Sequence, residues 1–436
     1  MNDLVRAAAC YLRPILRDQS RPTKNFVFDM ISGMLMAQHV HIAAIARVLC
    51  DDVLEGETSD ARHVAKRLGR RMSCDWDHEK FRHLHLERVA TRIGRENGKG
   101  VVIAVDYTDL AKKGATPNGA LELACTCFDG SRREKGVGYP VVQVLADHPT
   151  GVTYPLDLFP YSNLRDKRSQ VAIFLDRLGK MKKYIGRRAM WVFDRGFDGE
   201  SYLDGLDALK LRWIVRVKSE RTSRFLFNQN NEARTVEGWV PDVPLRFTTQ
   251  VHKVTRAGRR FVVVVTVGTL VVRLSDQKDN PSPKGAERTL VVVRGMARKP
   301  MVLLCHERLG DDVDVHRVID AYRRRWSAEV STRVVKQRDG WGLSLEQIAV
   351  YSGRSVERML LLVMVLLGFL ADLQRRRPLL ARKTASVARA AGTRKPSFPA
   401  SRLIRGAGAL LGRTSPATRE KWRDHVSAGR RRKKQA

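Results

Sequence analysis

Between residues 100 and 218 the chain alternates β-branched runs with amphipathic helices, and that alternation leaves few folds open. "GVVIAVDYTDL" is an apolar run ending in an acid, Asp106. "GYPVVQVLADHPTGVTYPLDLFP" reads as two strands around a "DHPTG" turn. "KRSQVAIFLDRLGKMKKYIG" has the spacing of an amphipathic helix, and "RRAMWVFDRGFDG" is a strand ending in Asp194. A short helix, "ESYLDGLDALK", and a strand, "LRWIVRVK", close the segment. The order β-β-β-α-β-α-β predicts an α/β fold, a mixed sheet with helices packed on it. Cys125 and Cys127 in "LELACTCFD" read as alternate positions of a further strand.

The flanking regions differ in kind. Residues 1–95 read as a helical, basic domain. In "ARHVAKRLGRRM", Ala61, Val64, Ala65 and Leu68 make one apolar stripe, while Arg62, Lys66 and Arg70 share another face. Thr58 or Ser59 is expected to cap that helix. A second helix presenting cations suits DNA in the helix-turn-helix manner, and equally a solvated basic face. His78, His83 and His85 lack cysteine partners at ligand spacing and are read as structural. Residues 96–218 are the first part of the α/β core. Residues 219–305 read as a β-rich insertion, and 306–375 return to helices. Residues 376–436 form a basic tail whose only acids are Glu420 and Asp424. Most of that tail is expected to lack a core of its own and to serve as a phosphate-binding arm.

Charge narrows the partner. Lys and Arg number 80 against 46 Asp and Glu, a net charge of +34, which argues for a polyanion. Nucleic acid leads over an anionic membrane. The longest apolar run, Met359 to Ala371, has 13 residues, where a spanning helix needs about 20. It reads as a core helix, so no membrane is expected. The scattered cysteines and the charged N-terminus fit a reduced, cytoplasmic compartment.

One stretch breaks the usual interleaving of charge. "YRRRWSAEVSTRVVK" (322–336) sets five cations around a single carboxylate, Glu329. Read as one helix, Tyr322, Arg325, Glu329 and Lys336 fall within an arc of about 60°. Such a face is either a run of surface ion pairs or a carboxylate that holds a metal among phosphate-binding groups.

With Asp106 and Asp194, this stretch resembles the cut-and-paste DDE transposases of bacterial insertion sequences that bear the YREK signature, the insertion-sequence-four-like group. Tyr322, Arg325, Glu329 and Lys336 match Y-x2-R-x3-E-x6-K. Asp106, Thr108 and Leu110 match the first acid's motif, and Val192, Asp194 and Arg195 the second's. The resemblance spans roughly residues 30 to 375. It implies an RNase H-like core interrupted by the β-rich insertion, with an N-terminal helical DNA-binding domain. It also implies cleavage of insertion-sequence ends and their joining to target DNA, with a homodimer in the synaptic complex. Asp106, Asp194 and Glu329 would then hold two Mg²⁺ ions, for which Mn²⁺ can substitute, Asp106 bridging both. Two such ions about 3.5–4 Å apart suit phosphodiester transfer. Tyr322, Arg325 and Lys336 would bind DNA phosphates. Where hairpin-forming members stack a tryptophan on a flipped base, this chain offers Met301. The alternatives are a non-catalytic DNA-binding regulator of transposase descent and a structure-specific nuclease on the same core.

Overall fold

The structure is a computed structural model. It describes every residue except 1, 51–59, 94–99, 113–120, 130–133, 163–167, 187, 222–223, 255–259, 276–280, 337–341, 391–398, 415–417, 419–422 and 424–436. Five helices come first: α1 (Asn2–Leu16), α2 (Arg21–Ala37), α3 (Ile42–Cys50), α4 (Ala61–Ser73) and α5 (His78–Ile93). Strands β1 (Val102–Ala111), β2 (Cys125–Asp129), β3 (Glu134–Asp147) and β4 (Thr153–Pro160) follow. Then come α6 (Gln170–Ile185), β5 (Met190–Phe193), α7 (Glu200–Ala208) and β6 (Arg212–Arg216). The expected insertion holds β7 (Phe225–Phe227), β8 (Ala233–Thr235), α8 (Val236–Trp239), β9 (Leu245–Val254), β10 (Arg260–Ser275), β11 (Lys284–Arg294) and β12 (Met301–Cys305). The chain finishes with α9 (Asp312–Arg324), α10 (Trp326–Lys336), α11 (Gly353–Arg376), α12 (Pro378–Ala390) and α13 (Pro399–Gly412).

Contacts divide the chain into two units, and the division cuts across the boundaries expected from sequence. The first holds Met1–Arg95, Tyr107–Ile173 and Ser327–Ala436; the second holds Glu96–Asp106 and Phe174–Trp326. β1 is therefore shared, with the boundary falling directly after Asp106.

In the first unit the apolar helix α11 is wrapped by other helices. Met359 to Leu366 are fully buried, against side chains from α1, α2, α4, α5 and α13. Burial on every side accounts for 13 apolar residues running together. Among the described residues, no single helix is long and apolar enough to cross one. Arg358, at 0% exposure, turns its guanidinium to the carbonyls of Met72, Cys74 and Trp76, with its plane over the Trp76 ring. It thereby satisfies the C-terminus of α4, whose last carbonyls have no partner within the helix. At the other end Asp60 caps α4 by accepting from the Arg62 N–H at 2.9 Å, while Thr58 and Ser59, the expected caps, lie outside the described residues.

The tail departs from its expectation. Leu403, Ile404, Ala407 and Leu411 of α13 sit in the same core as α11. Gly406 and Gly408 permit the approach: a Cβ on Gly408 would lie 2.2 Å from the Leu35 carbonyl oxygen of α2. Packed helices, not a free arm, therefore occupy 378–390 and 399–412. An abundance of arginine concealed an apolar stripe.

α5 is fastened to β4 by buried polar groups. Arg82 pairs with Asp157, and the His85 Nε2–H donates to the Pro155 carbonyl at 2.9 Å. Burial is the main influence on His85, pushing its pKa down to about 4 from an ordinary 6.5. The folded-state pKa lies below the unfolded one, so the unfolded chain takes up the proton first as pH falls. Stability should drop between about pH 6.5 and 4, by roughly 3 kcal/mol from this residue. Thermal melts at pH 7 and 4.5 check this: His85→Gln should flatten the difference, and parallel losses in both proteins would exonerate the histidine.

The second unit is built on the parallel trio β1, β5 and β6, extended by antiparallel strands in the order β12, β11, β10, β7 and β8, with β9 also on β10. The expected β-rich insertion thus continues the core sheet of this unit. α9 covers it, burying Val315, Val318, Ile319 and Tyr322 against Val192, Ile214, Val291 and Leu303.

Candidate active site

β1 and β5 run parallel with Val102 opposite Met190 and Val105 opposite Phe193. One step further along each strand stand Asp106 and Asp194. The register therefore sets the two residues on adjacent strands, whose backbones lie one strand spacing of about 4.8 Å apart. Val102, Val192 and their neighbours fix that register by burying both faces, since a slip of one residue would invert every side chain. Asp194 is the last extended residue before a single turn, Arg195–Phe197, and its side chain makes no capping bond there.

Asp106 departs from its expectation. It does not end its strand: β1 runs five residues further, to Ala111. Beyond Asp106, Thr108 and Leu110 keep the alternating burial of a strand in the first unit. The pairing with β5 is what stops, at Val105 and Phe193. Asp106 thus emerges where its neighbour leaves it.

Tyr322 of α9 and Arg325, which caps that helix, reach the same place. Tyr322 is buried, and the Arg325 guanidinium lies 5.6 Å from its ring centre. Burial raises the phenol's pKa, Asp194 adds to this, and Arg325 and Arg216 oppose it. Arg325 Nη1 stands 3.7 Å from Asp106 Oδ1. Two acids, one guanidinium and one phenol therefore converge in the second unit. Carboxylate oxygens on adjacent strands are hard donors of the kind Mg²⁺ takes.

The single helix expected over 322–336 is broken. α9 ends at Arg324, Arg325 forms its C-cap, and α10 begins at Trp326. The Arg325 N–H donates to Tyr322, three residues back, at 3.2 Å. Neither Pro nor Gly marks the break, so the wheel gave no warning of it. Glu329 lies in the first turn of α10 and, with Lys336, belongs to the first unit. There the Lys336 ammonium donates to the Asp109 carbonyl, tying the end of α10 to β1.

The remaining candidates are scattered. Arg62, Lys66 and Arg70 are all exposed on α4. The turn expected before them lies outside the described residues. Met301 opens β12 opposite Val293 and packs against the core beneath α9. His78 Nε2 approaches Glu357 at 3.6 Å and Glu79 at 3.8 Å, at the start of α5.

Arg224 and Trp326 escaped the sequence reading, and so did the pairing of Asp198, which reads from sequence only as a turn residue. Asp198 and Arg224 form a fully buried ion pair behind the turn that follows Asp194. Nothing short-range links positions 26 apart. Trp326 is 60% exposed at the head of α10, a large aromatic left open inside a polar stretch. Its isolation there was a legible signal.

A comparison with characterised proteins finds no significant match. A family model does match, described as a transposase DDE domain, over residues 97–367, well over half of the 436. Members act on DNA and depend on divalent metal ions. The chain belongs to the transposase DDE domain family.

Proposed function

We propose that the protein is a transposase of the YREK-signature, insertion-sequence-four-like group, which cuts insertion-sequence ends and joins them to target DNA. The observation that carries this reading is the β1–β5 register, which brings Asp106 and Asp194 to neighbouring positions beside Arg325. Glu329 is the third acid. It follows Arg325 by four residues, a span of at most about 14 Å for any conformation of the chain.

The donor set fits two Mg²⁺ ions, with Mn²⁺ as a substitute: all three groups are carboxylates, and no thiolate or imidazole joins them in the signature. When bound, the ions would stabilise the attacking and leaving oxygens of phosphodiester transfer. The chain's own groups supply the rest. Arg325 orients Asp106 and adds positive charge where phosphate oxygens gather. Tyr322, buried and undissociated, holds that guanidinium against its ring. Lys336, set in place by the Asp109 carbonyl, binds phosphate as a point charge. Trp326 offers a flipped base the indole face that Met301 lacks. α4, capped by Asp60 and fastened by Arg358, presents Arg62, Lys66 and Arg70 to the terminal repeat. A homodimer would bring two ends together.

The test is cleavage and joining of a labelled DNA end that carries the element's inverted repeat, with Mg²⁺ or Mn²⁺. We expect nicking at the repeat boundary and joined product, both abolished by chelation. Cleaved ends that are released and never joined would favour a structure-specific nuclease instead. Binding without any cleavage would favour a regulator. Replacing Arg62, Lys66 and Arg70 with Ala should reduce preference for the repeat over random DNA. If affinity fell alike for both, these residues would be phosphate contacts only.

A further inference from the structure

Gln143 is 2% exposed in the middle of β3, between Val141, Val142, Val144 and Leu145, none more than 1% exposed. A primary amide among valines is costly unless both of its ends find partners. Both do, and both partners lie on α10. The amide nitrogen donates to Ser331 Oγ at 2.7 Å, and the amide oxygen accepts from Thr332 Oγ1 at 2.7 Å.

We infer that Gln143 is a positioning residue for Glu329. The inference rests on the metal role proposed for that carboxylate. Successive residues on a helix point about 100° apart. A single amide gripping two of them fixes both the roll of α10 about its axis and its advance along it. Ser331 and Glu329 are two residues apart, so a roll of the helix would carry the carboxylate with it. Apolar packing also holds α10, through Ala328, Val334 and Val335, all buried. Hydrophobic burial is non-directional, whereas hydrogen bonds have a preferred angle. The amide supplies the angular restraint. It stands to the carboxylate as the partners of a metal ligand usually do, and loss of such partners costs about 10–100-fold in affinity or activity.

The test compares Gln143→Leu with a triple variant, Gln143→Leu/Ser331→Ala/Thr332→Val. In the triple variant no buried polar group is left without a partner, so its thermal midpoint should stay near wild type. Both variants should bind the DNA end normally. Both should need about tenfold more Mg²⁺ for half-maximal cleavage, and their protein–DNA complexes should bind Mn²⁺ about tenfold more weakly by electron paramagnetic resonance. A restored midpoint with a persistent metal defect separates positioning from mere stability. Wild-type metal binding in the triple variant would overturn the inference. Glu329→Gln, run beside it, separates the two failures. An inert Glu329→Gln with a normal triple variant rejects Gln143 alone, whereas a fully active Glu329→Gln removes the metal role of Glu329 and this inference with it.

Discussion

Glu329→Gln should lose strand cleavage by about 10³-fold or more while retaining fold and DNA binding. The substitution keeps size and one carbonyl oxygen but removes the charge that a hard cation requires. Its place in the first turn of α10 favours a negative charge by a few tenths of a kcal/mol, so Gln should cost little stability. The competing account, in which Glu329 only serves surface ion pairs, predicts a stability change below about 1 kcal/mol and unchanged cleavage. Stability thus barely distinguishes the two accounts, and rate does. Cleavage of a labelled end, measured beside an equilibrium binding titration, decides. Survival of cleavage would remove the third acid from the site.

Arg224→Met should have the largest effect on stability, about 3–5 kcal/mol, a large share of the 5–15 kcal/mol that holds a typical domain together. The side chains of Asp198 and Arg224 are both 0% exposed, so removing the guanidinium leaves a buried carboxylate without its paired charge. Burial already raises the pKa of Asp198 against the pull of Arg224. The carboxylate also accepts from the Lys218 N–H at 2.8 Å, and the Asp198 carbonyl accepts from Arg221 at 2.6 Å. Arg221 also favours the charged carboxylate, but it acts less strongly than Arg224 and bonds the carbonyl, so it replaces the lost partner only in part. Pairing Arg224→Met with Asp198→Leu should recover much of the loss, since neither charge is then buried alone. Urea denaturation of the three proteins measures this, and a single-variant cost below about 1 kcal/mol would show that water reaches the pair. Because Asp198 lies four residues after Asp194, any loosening there should also reduce cleavage.

These two residues show what the sequence could and could not reveal. The acid of the second strand was legible because an apolar run stops abruptly at Asp194, in a composition that only a strand and its exit explain. Glu329 was legible as a lone carboxylate among cations. The ion pair of Asp198 was not, because the partner is supplied by the turn of the chain into β7. Gln143 was visible yet overlooked: a polar side chain inside "PVVQVLAD" has to be bonded to something, though nothing local says to what. The break at Arg325 left no trace, since its backbone angles, −54° and −28°, remain helical and only the hydrogen-bonding changes. In the tail, charge outweighed pattern. Leu403, Ala407 and Leu411 recur at intervals of four, a stripe that the surrounding arginines obscured.

The buried helix α11 has a consequence for heredity. The family's recognisable stretch closes at residue 367, inside that helix, whose side chains share one core with residues from Leu4 to Leu411. The inherited module and the folding module are therefore different objects. Recombination that cut at the edges of the recognisable stretch would deliver a fragment with α11 truncated and stripped of its cover. Change in the N-terminal helices should thus come by point substitution on exposed faces, since their shared interior with α11 closes off wholesale exchange of that segment.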